Sequence, residues 1–209
     1  MSTRSPIVKQ LPPDRVEEAV TVLSAAFHDY AAMRYVIGAT GDAYDARLRT
    51  LIEYFVQARY WRDEPVLCVE REGVVAGVAI VTLPGDRARP PQMLVRRQEV
   101  WESLGADARE RYERLSHATA NFFIEAPHHH LNMIGVLPSH AGRRLGRRLL
   151  DAVHALANAD TESTGVTLTT EDERNVALYE HVGYTIVDHA RVSDTLETWG
   201  FYRPKTPSR

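Results

Sequence analysis

Cysteine is almost missing from this 209-residue chain. Cys68 stands alone, which excludes an internal disulfide and fits a reducing compartment. Its place in the apolar run Val66 to Val69 makes it a small buried hydrophobe rather than a nucleophile. Lysine is nearly as rare: Lys9 and Lys205 stand against many arginines, an imbalance that reads as genomic codon bias. No stretch approaches the ~20 apolar residues of a membrane span, and the first ten residues hold no signal-peptide core, so a cytoplasmic protein is expected. Positive charge is not in excess either. The formal net charge of −3 supplies no field for general nucleic-acid binding. Repeats and low-complexity segments are lacking, and the run His128 to His130 has no nearby ligand pattern that supports zinc, so no metal is expected.

What is present suffices for one domain. Apolar residues make up 44% of the chain, enough to fill a core, and the length suits one α/β domain with an insertion. Ile7 to Gln10 is a short first strand, followed by Asp14 with Glu17 three residues on, the pattern of a capping box. Val16, Ala19, Val20, Leu23, Phe27 and Tyr30 mark one helical face, and a second helix is expected from Asp42 to about Tyr60. Val66 to Arg71 and Val74 to Leu83 flank Glu72-Gly73 at hairpin spacing. The charged, helical-period region 86–126 reads as an insertion between two strands of one sheet, with Asp107 and Glu110 as a second capping box. Gly165 to Thr170 is a strand, Asn175 to His181 a short helix, and Tyr184 to Asp188 with Leu196 to Arg203 a final strand pair. The domain is read as 1–204, with 205–209 a disordered tail.

The rest is organised around Leu131 to Leu150, LNMIGVLPSHAGRRLGRRLL, a strand, a short loop and an amphipathic helix. Arg143, Arg144, Arg147 and Arg148 crowd the helix start, where the dipole disfavours cations. With Gly142 and Gly146 and the exposed N–H groups, that junction suits a bound phosphate. The plainer alternative is a solvated basic face.

Two segments resemble the N-acetyltransferases related to the histone enzymes, the GNAT family. V-x-P followed by AGRRLG at Ala141 to Gly146 is similar to the family's acetyl-CoA pyrophosphate signature, and NVALYEHVGY from Asn175 to Tyr184 is similar to its late Asn…Tyr segment. Ala19 to Arg34 and the closing TWGFYR further resemble the puromycin N-acetyltransferase branch. The resemblance implies the GNAT fold, α/β in the α+β sense: a mixed, mostly antiparallel twisted sheet flanked by helices, with the helical insertion ahead of the central strand. It implies acetyl-CoA as cosubstrate, with Ile134, Gly135 and Val136 toward the pantetheine arm and Gly142, Arg143, Arg144, Leu145, Gly146 and Arg147 around the pyrophosphate. Asn175 is a further cofactor contact. Tyr179 matches the tyrosine that protonates the departing thiolate.

The signature is altered at Ala141, where glutamine or arginine is usual, and at Arg144, where a glycine lets phosphate approach the backbone. Thr169 stands where relatives of the puromycin branch carry a glutamate. A base is still needed to free an amine lone pair. Counted back along the strand from Val136, His130 takes the place of the family's base, with Glu125 and a water chain as competitors. The expected reaction is direct acetyl transfer in a ternary complex to a small-molecule amine. Trp101, Tyr112, Phe122 and Phe123 are candidates for an apolar acceptor pocket. A non-catalytic acetyl-CoA-binding module and a protein or peptide acetyltransferase are the alternatives. A homodimer stays open; neither membrane nor nucleic acid is an expected partner.

Overall fold

Val- and Ala-rich segments pair into a central sheet in a computed structural model that describes residues 7–38, 41–85, 87–122 and 124–206. In chain order the elements are β1 (Val8–Gln10), α1 (Val16–Phe27), α2 (Ala31–Ile37), α3 (Asp42–Trp61), β2 (Val66–Arg71) and β3 (Val74–Thr82). Then follow α4 (Pro91–Leu104), α5 (Ala106–Ala118), β4 (His129–Val136), α6 (Leu145–Ala159), β5 (Gly165–Thr170), α7 (Val176–His181), β6 (Thr185–Ser193) and β7 (Leu196–Pro204). The sheet order is β1-β2-β3-β4-β5-β7-β6, antiparallel except where β4 runs parallel to β5. This is the mixed, mostly antiparallel α/β architecture expected from the sequence.

Two apolar layers sandwich the sheet. On one face α6 inserts Leu145, Leu149, Leu150 and Val153 against Val69, Val81, Leu131, Val166 and Phe201. On the other, α1 and α3 bring Ala19, Val20, Leu23, Leu48 and Ile52 against Val66, Cys68, Val78, Ile80 and Met133. Cys68 is fully buried, and burial pushes its thiol pKa up, so it is inert packing. Gly135 lies under α1, where an added Cβ would come within 2.6 Å of the Ala26 Cβ. Its lack of a side chain lets that helix approach β4.

A bulge in β4 controls what faces the site. Ile80 pairs with Met133 and Val81 with Leu131, so Asn132 is the extra residue. Because side chains alternate, one extra residue exchanges the faces on either side of it. Leu131 accordingly packs with α6, whereas Met133, two residues on, packs with α1 and α3. Arg59 Nη1 holds the bulge by donating to Asn132 Oδ1 at 3.0 Å, and also pairs with the buried Glu64 at 3.1 Å.

The region read as an insertion lies between β3 and β4, which are hydrogen-bonded neighbours. Its helices share a third cluster with α2 and α3, built from Val36, Leu51, Tyr54, Met93, Val100 and Trp101. Several local expectations are corrected. Neither capping box is made: α1 starts from Arg15, which binds Glu18 and Glu70 at 2.6 Å each, and α5 starts from Gly105 without a side-chain cap. The first helical face breaks after Phe27, and Tyr30 precedes α2 instead of closing α1. Strand β6 runs on to Ser193. The tail read as disordered is corrected at its first two residues: Lys205 N donates to the Thr164 carbonyl at 2.7 Å and Thr206 N to Asn158 Oδ1 at 3.1 Å. Residues 207–209 lie outside the described residues.

Candidate active site

Strands β4 and β5 pair only over His129↔Val166, His130↔Thr167 and Leu131↔Leu168. Beyond Leu131 they part, so the second half of β4 turns a strand edge toward a cleft of about 1060 Å³. Ile134, Gly135 and Val136 line this cleft, where their backbone groups are open to an extended ligand. The walls come from α1 and α2 on one side, Phe55 and Arg59 of α3, Tyr112 and Leu115 of α5, and Thr119 just after it. The ends of β5 and β7 with α7 complete it through Thr170, Glu171, Asn175, Tyr179 and Trp199.

The arginine junction lies outside that lining. Gly142 has φ +73°, with nothing within 4 Å of where a Cβ would stand, so the backbone there is bare. Helix α6 begins at Leu145 from Arg144, itself left-handed at φ 60° and ψ 18°. Arg143 and Arg144 therefore precede the helix rather than occupying its first turn. Two of the arginines have acidic partners: Arg147 Nε donates to Asp151 at 2.8 Å, and Arg143 lies 4.0 Å from Glu72. Both pairs are exposed, and so are weak enough for a phosphate to compete. Gly146 has ordinary contact with Val136 at 3.8 Å, tying the helix start to the end of β4.

Tyr179 is buried at 8% exposure among Tyr184 and Phe201, with ring centroids 5.7 and 5.5 Å away. Its hydroxyl nevertheless has no hydrogen-bond partner among the described residues, and the side chain lines the cleft. Burial, with help from the Glu171 charge, lifts its pKa to about 12, so the phenol keeps its proton at neutral pH. Asn175 Nδ2 donates to Thr170 Oγ1 at 3.2 Å, which fixes the amide at the cleft wall.

The three histidines separate as strand alternation requires. His129 is buried with Nδ1 2.9 Å from Ser163 Oγ, and His128 Nδ1 meets the Ala126 carbonyl at 2.8 Å. Only His130 lines the cleft. Its Nδ1 lies 2.9 Å from Thr167 Oγ1, and that hydroxyl donates to the His129 carbonyl at 3.3 Å. Nδ1 therefore carries the imidazole hydrogen, and Nε2 is the acceptor. Burial, then the charges of His128 and Arg59, lower its pKa to about 4. Among the described residues no group of three or more His, Cys, Asp or Glu side chains could hold a metal ion.

Of the four aromatic residues expected to line a pocket, Tyr112 does so. Trp101 instead packs behind Tyr112 with the rings tilted at 43° and their centroids 4.7 Å apart, Phe122 packs onto Gly200 of β7, and Phe123 lies outside the described residues. Residues that sequence reasoning passed over converge at the far wall. Thr198 Oγ1 donates to Glu171 Oε1 at 2.7 Å, and Tyr30 Oη to Glu171 Oε2 at 3.1 Å. The Glu171 N–H returns a bond to Tyr30 Oη at 2.8 Å. The one hint in the sequence was Thr169, in the place of a glutamate, with an acid two residues later.

The likeness to known proteins agrees with this geometry. The profile described as "Acetyltransferase (GNAT) domain" matches residues 62–186. A structure titled histone acetyltransferase HPA2 and related acetyltransferase from Corynebacterium glutamicum superposes at TM-score 0.69 with 23% identity, over 99% of this chain and 100% of that one. The polyamine N-acetyltransferase of Drosophila melanogaster gives TM-score 0.63 and 17% identity, over 95% and 98%. The ribosomal-protein-S18-alanine N-acetyltransferase of Escherichia coli gives 0.58 and 13%, over 98% and 97%. With more than half its length matched by that profile, and with the splayed strands and the bare loop before α6 where the fold would use them, the chain belongs to the GNAT acetyltransferase family.

Proposed function

We propose that the protein transfers the acetyl group of acetyl-CoA directly to the primary amine of a small molecule. One observation carries this reading: the parted β4 and β5 open onto a cleft in which a tyrosine hydroxyl stands without a partner among the described residues. Ile134, Gly135 and Val136 would hold the pantetheine arm through their backbone, and Gly142 to Arg147 the pyrophosphate, where a bare glycine and four nearby arginines suit an anion. Bound there, acetyl-CoA supplies the activated thioester. The chain's own part is to orient the acceptor, exclude water and place Tyr179 as proton donor to the leaving sulfur. Asn175 would fix the cleft wall beside it. Neutral His130 serves as a hydrogen-bond acceptor in the cleft; with a pKa near 4 it is a weak store for a proton at neutral pH.

The roof favours a small acceptor. Helices α2 and α5 overhang the cleft with Met33, Val36, Tyr112 and Leu115, apolar groups that suit the body of a small amine beside the polar groups of the opposite wall. The sequence likeness of Ala19 to Arg34 and Thr198 to Arg203 to the puromycin branch points the same way, since both stretches contribute to the wall. The structural relatives include an enzyme named for polyamines and one named for a ribosomal protein, so the acceptor class rests on the cleft itself.

The test has two stages. Acetyl-CoA at about one hundred times its dissociation constant should stabilise the protein by roughly 2.7 kcal/mol. Thiol release should then be followed with puromycin, 2-phenylethylamine, polyamines and lysine peptides. No stabilisation by acetyl-CoA or CoA sinks the reading, and turnover of the peptides alone replaces the small molecule with a protein acceptor.

A further inference from the structure

Glu171 is a half-buried carboxylate in the cleft whose side-chain partners among the described residues are hydroxyls, with no countercharge. Thr170 Oγ1 accepts from Asn175 Nδ2 at 3.2 Å and from the Asp172 N–H at 3.3 Å, so its own proton goes to Tyr30 Oη, 3.1 Å away. Tyr30 Oη, also accepting the Glu171 N–H, is left with its own proton to donate to Glu171 Oε2. With Thr198 on Oε1, both carboxylate oxygens accept from neutral donors. The network is arranged for an acceptor-only, ionised group. Among the described residues no cationic side chain pairs with it.

The other acids of the cleft are different. Asp29 pairs with Arg34 at 2.7 Å, Asp172 with Arg174 at 2.7 Å, and Glu197 with His189 and Arg191 at 3.1 and 3.2 Å. Glu173 and Asp194 stand exposed at the rim, where they add negative potential that draws cations inward. Arg59, the cation on the opposite wall, is committed to Glu64 and Asn132. A desolvated carboxylate lacking a countercharge is costly, and a ligand's cation relieves that cost.

Building on the acetyltransferase reading above, we propose that Glu171, held between the Tyr30 and Thr198 hydroxyls, receives the acceptor's ammonium group and is the base that takes its proton. The proton passes to a Glu171 oxygen, and the freed nitrogen lone pair attacks the thioester carbonyl carbon. The C–S bond then breaks with its electron pair leaving on sulfur, which Tyr179 protonates. The proton shed by the new amide nitrogen restores Tyr179, and Glu171 returns its own to solvent. Burial raises the Glu171 carboxyl above the usual carboxylate range, which brings its basicity toward working pH. Elsewhere in the cleft His130 and Tyr179 lie near 4 and near 12, burial raises Tyr30 and Tyr112, and hydrogen bonds from Arg34 and Arg174 lower Asp29 and Asp172.

The experiment compares wild type, Glu171→Gln, Thr198→Val and His130→Ala, using the pH dependence of kcat/KM on 2-phenylethylamine, puromycin and spermidine, with acetyl-CoA affinity measured by calorimetry. Wild type should lose activity on acidification through a pKa above the usual carboxylate range. E171Q should lower kcat/KM by at least about a hundredfold and abolish that limb, with acetyl-CoA affinity within threefold. T198V removes a donor to the ionised carboxylate, so it should move the limb to higher pH. Activity of E171Q within twofold of wild type overturns the proposal. So does a limb near 4 that vanishes in H130A and persists in E171Q. Transfer only to acceptors that are uncharged at neutral pH, such as aniline, overturns the role of Glu171 and leaves the acetyltransferase reading standing. Acetyl-CoA that fails to bind wild type overturns that reading itself.

Discussion

Tyr179 has two jobs that pull in different directions. Its ring is core, packed on Tyr184 and Phe201, while its hydroxyl reaches a cleft that offers it no partner among the described residues. Deleting the oxygen should therefore cost little stability and much chemistry. Tyr179→Phe is expected to melt within about 2 °C of wild type, to bind acetyl-CoA nearly unchanged, and to lose on the order of 10² to 10⁴ in kcat. Rates within twofold of wild type would reduce Tyr179 to packing. His130 shows the converse: its residue type suits base catalysis, but burial and a nearby arginine strip it of basicity.

At the scale of elements, the start of α6 carries a strain that its sequence does not advertise. Arg144 occupies the left-handed region at φ 60°, where a Cβ costs about 1 kcal/mol or more and glycine costs little. The family's glycine at this position has a conformational reason as well as a steric one. Arg144→Gly should raise the melting temperature of the ligand-free protein by about 2–4 °C. It should also weaken acetyl-CoA binding, since a guanidinium beside the anion site is removed. A lower melting temperature would mean that contacts of the Arg144 side chain outweigh the strain. The Glu72-Gly73 hairpin has the same chemistry in milder form, with φ 55° and 83° as a type I′ turn demands.

Across the whole molecule, buried titratable groups set opposing pH dependences. His154 is buried under Tyr184, its Nε2 3.0 Å from the hydroxyl, and burial lowers its pKa from 6.5 to about 4. The unfolded chain therefore binds the proton that the folded chain refuses, and the stability His154 confers is complete above pH 6.5 and lost as pH falls toward 4. Glu64 and Glu171, both raised by burial, contribute in the opposite sense over acidic pH. The clean measurement is the difference in unfolding free energy between wild type and His154→Gln. It should shift against wild type by about 2 kcal/mol between pH 7 and pH 5, and a flat difference would show that His154 is not held neutral. Asn132 works at the same scale, because its bulge is held by an arginine from α3 that is itself paired with Glu64.

The sequence alone determined the order of the strands, the hairpin at Glu72-Gly73, the β5 limits at Gly165 and Thr170, and the cationic character of the α6 start. Each of these is written in local periodicity, turn chemistry or charge spacing, and needs no distant partner to be read. The clustering of Ile134, Gly135, Val136, Asn175 and Tyr179 was legible too, through likeness to a family whose motifs keep chain order. Tertiary structure decided the rest. Both capping boxes failed because Arg15 reached Glu70 on a strand 55 residues away and because a glycine took the start of α5. The bulge at Asn132 changed which face His130 shares, and counting along a strand cannot see an extra residue that only the partner strand reveals. Glu171 gains its character from Tyr30 and Thr198, 141 and 27 residues away. A carboxylate's solvation, unlike its position, is a property of what the fold brings around it.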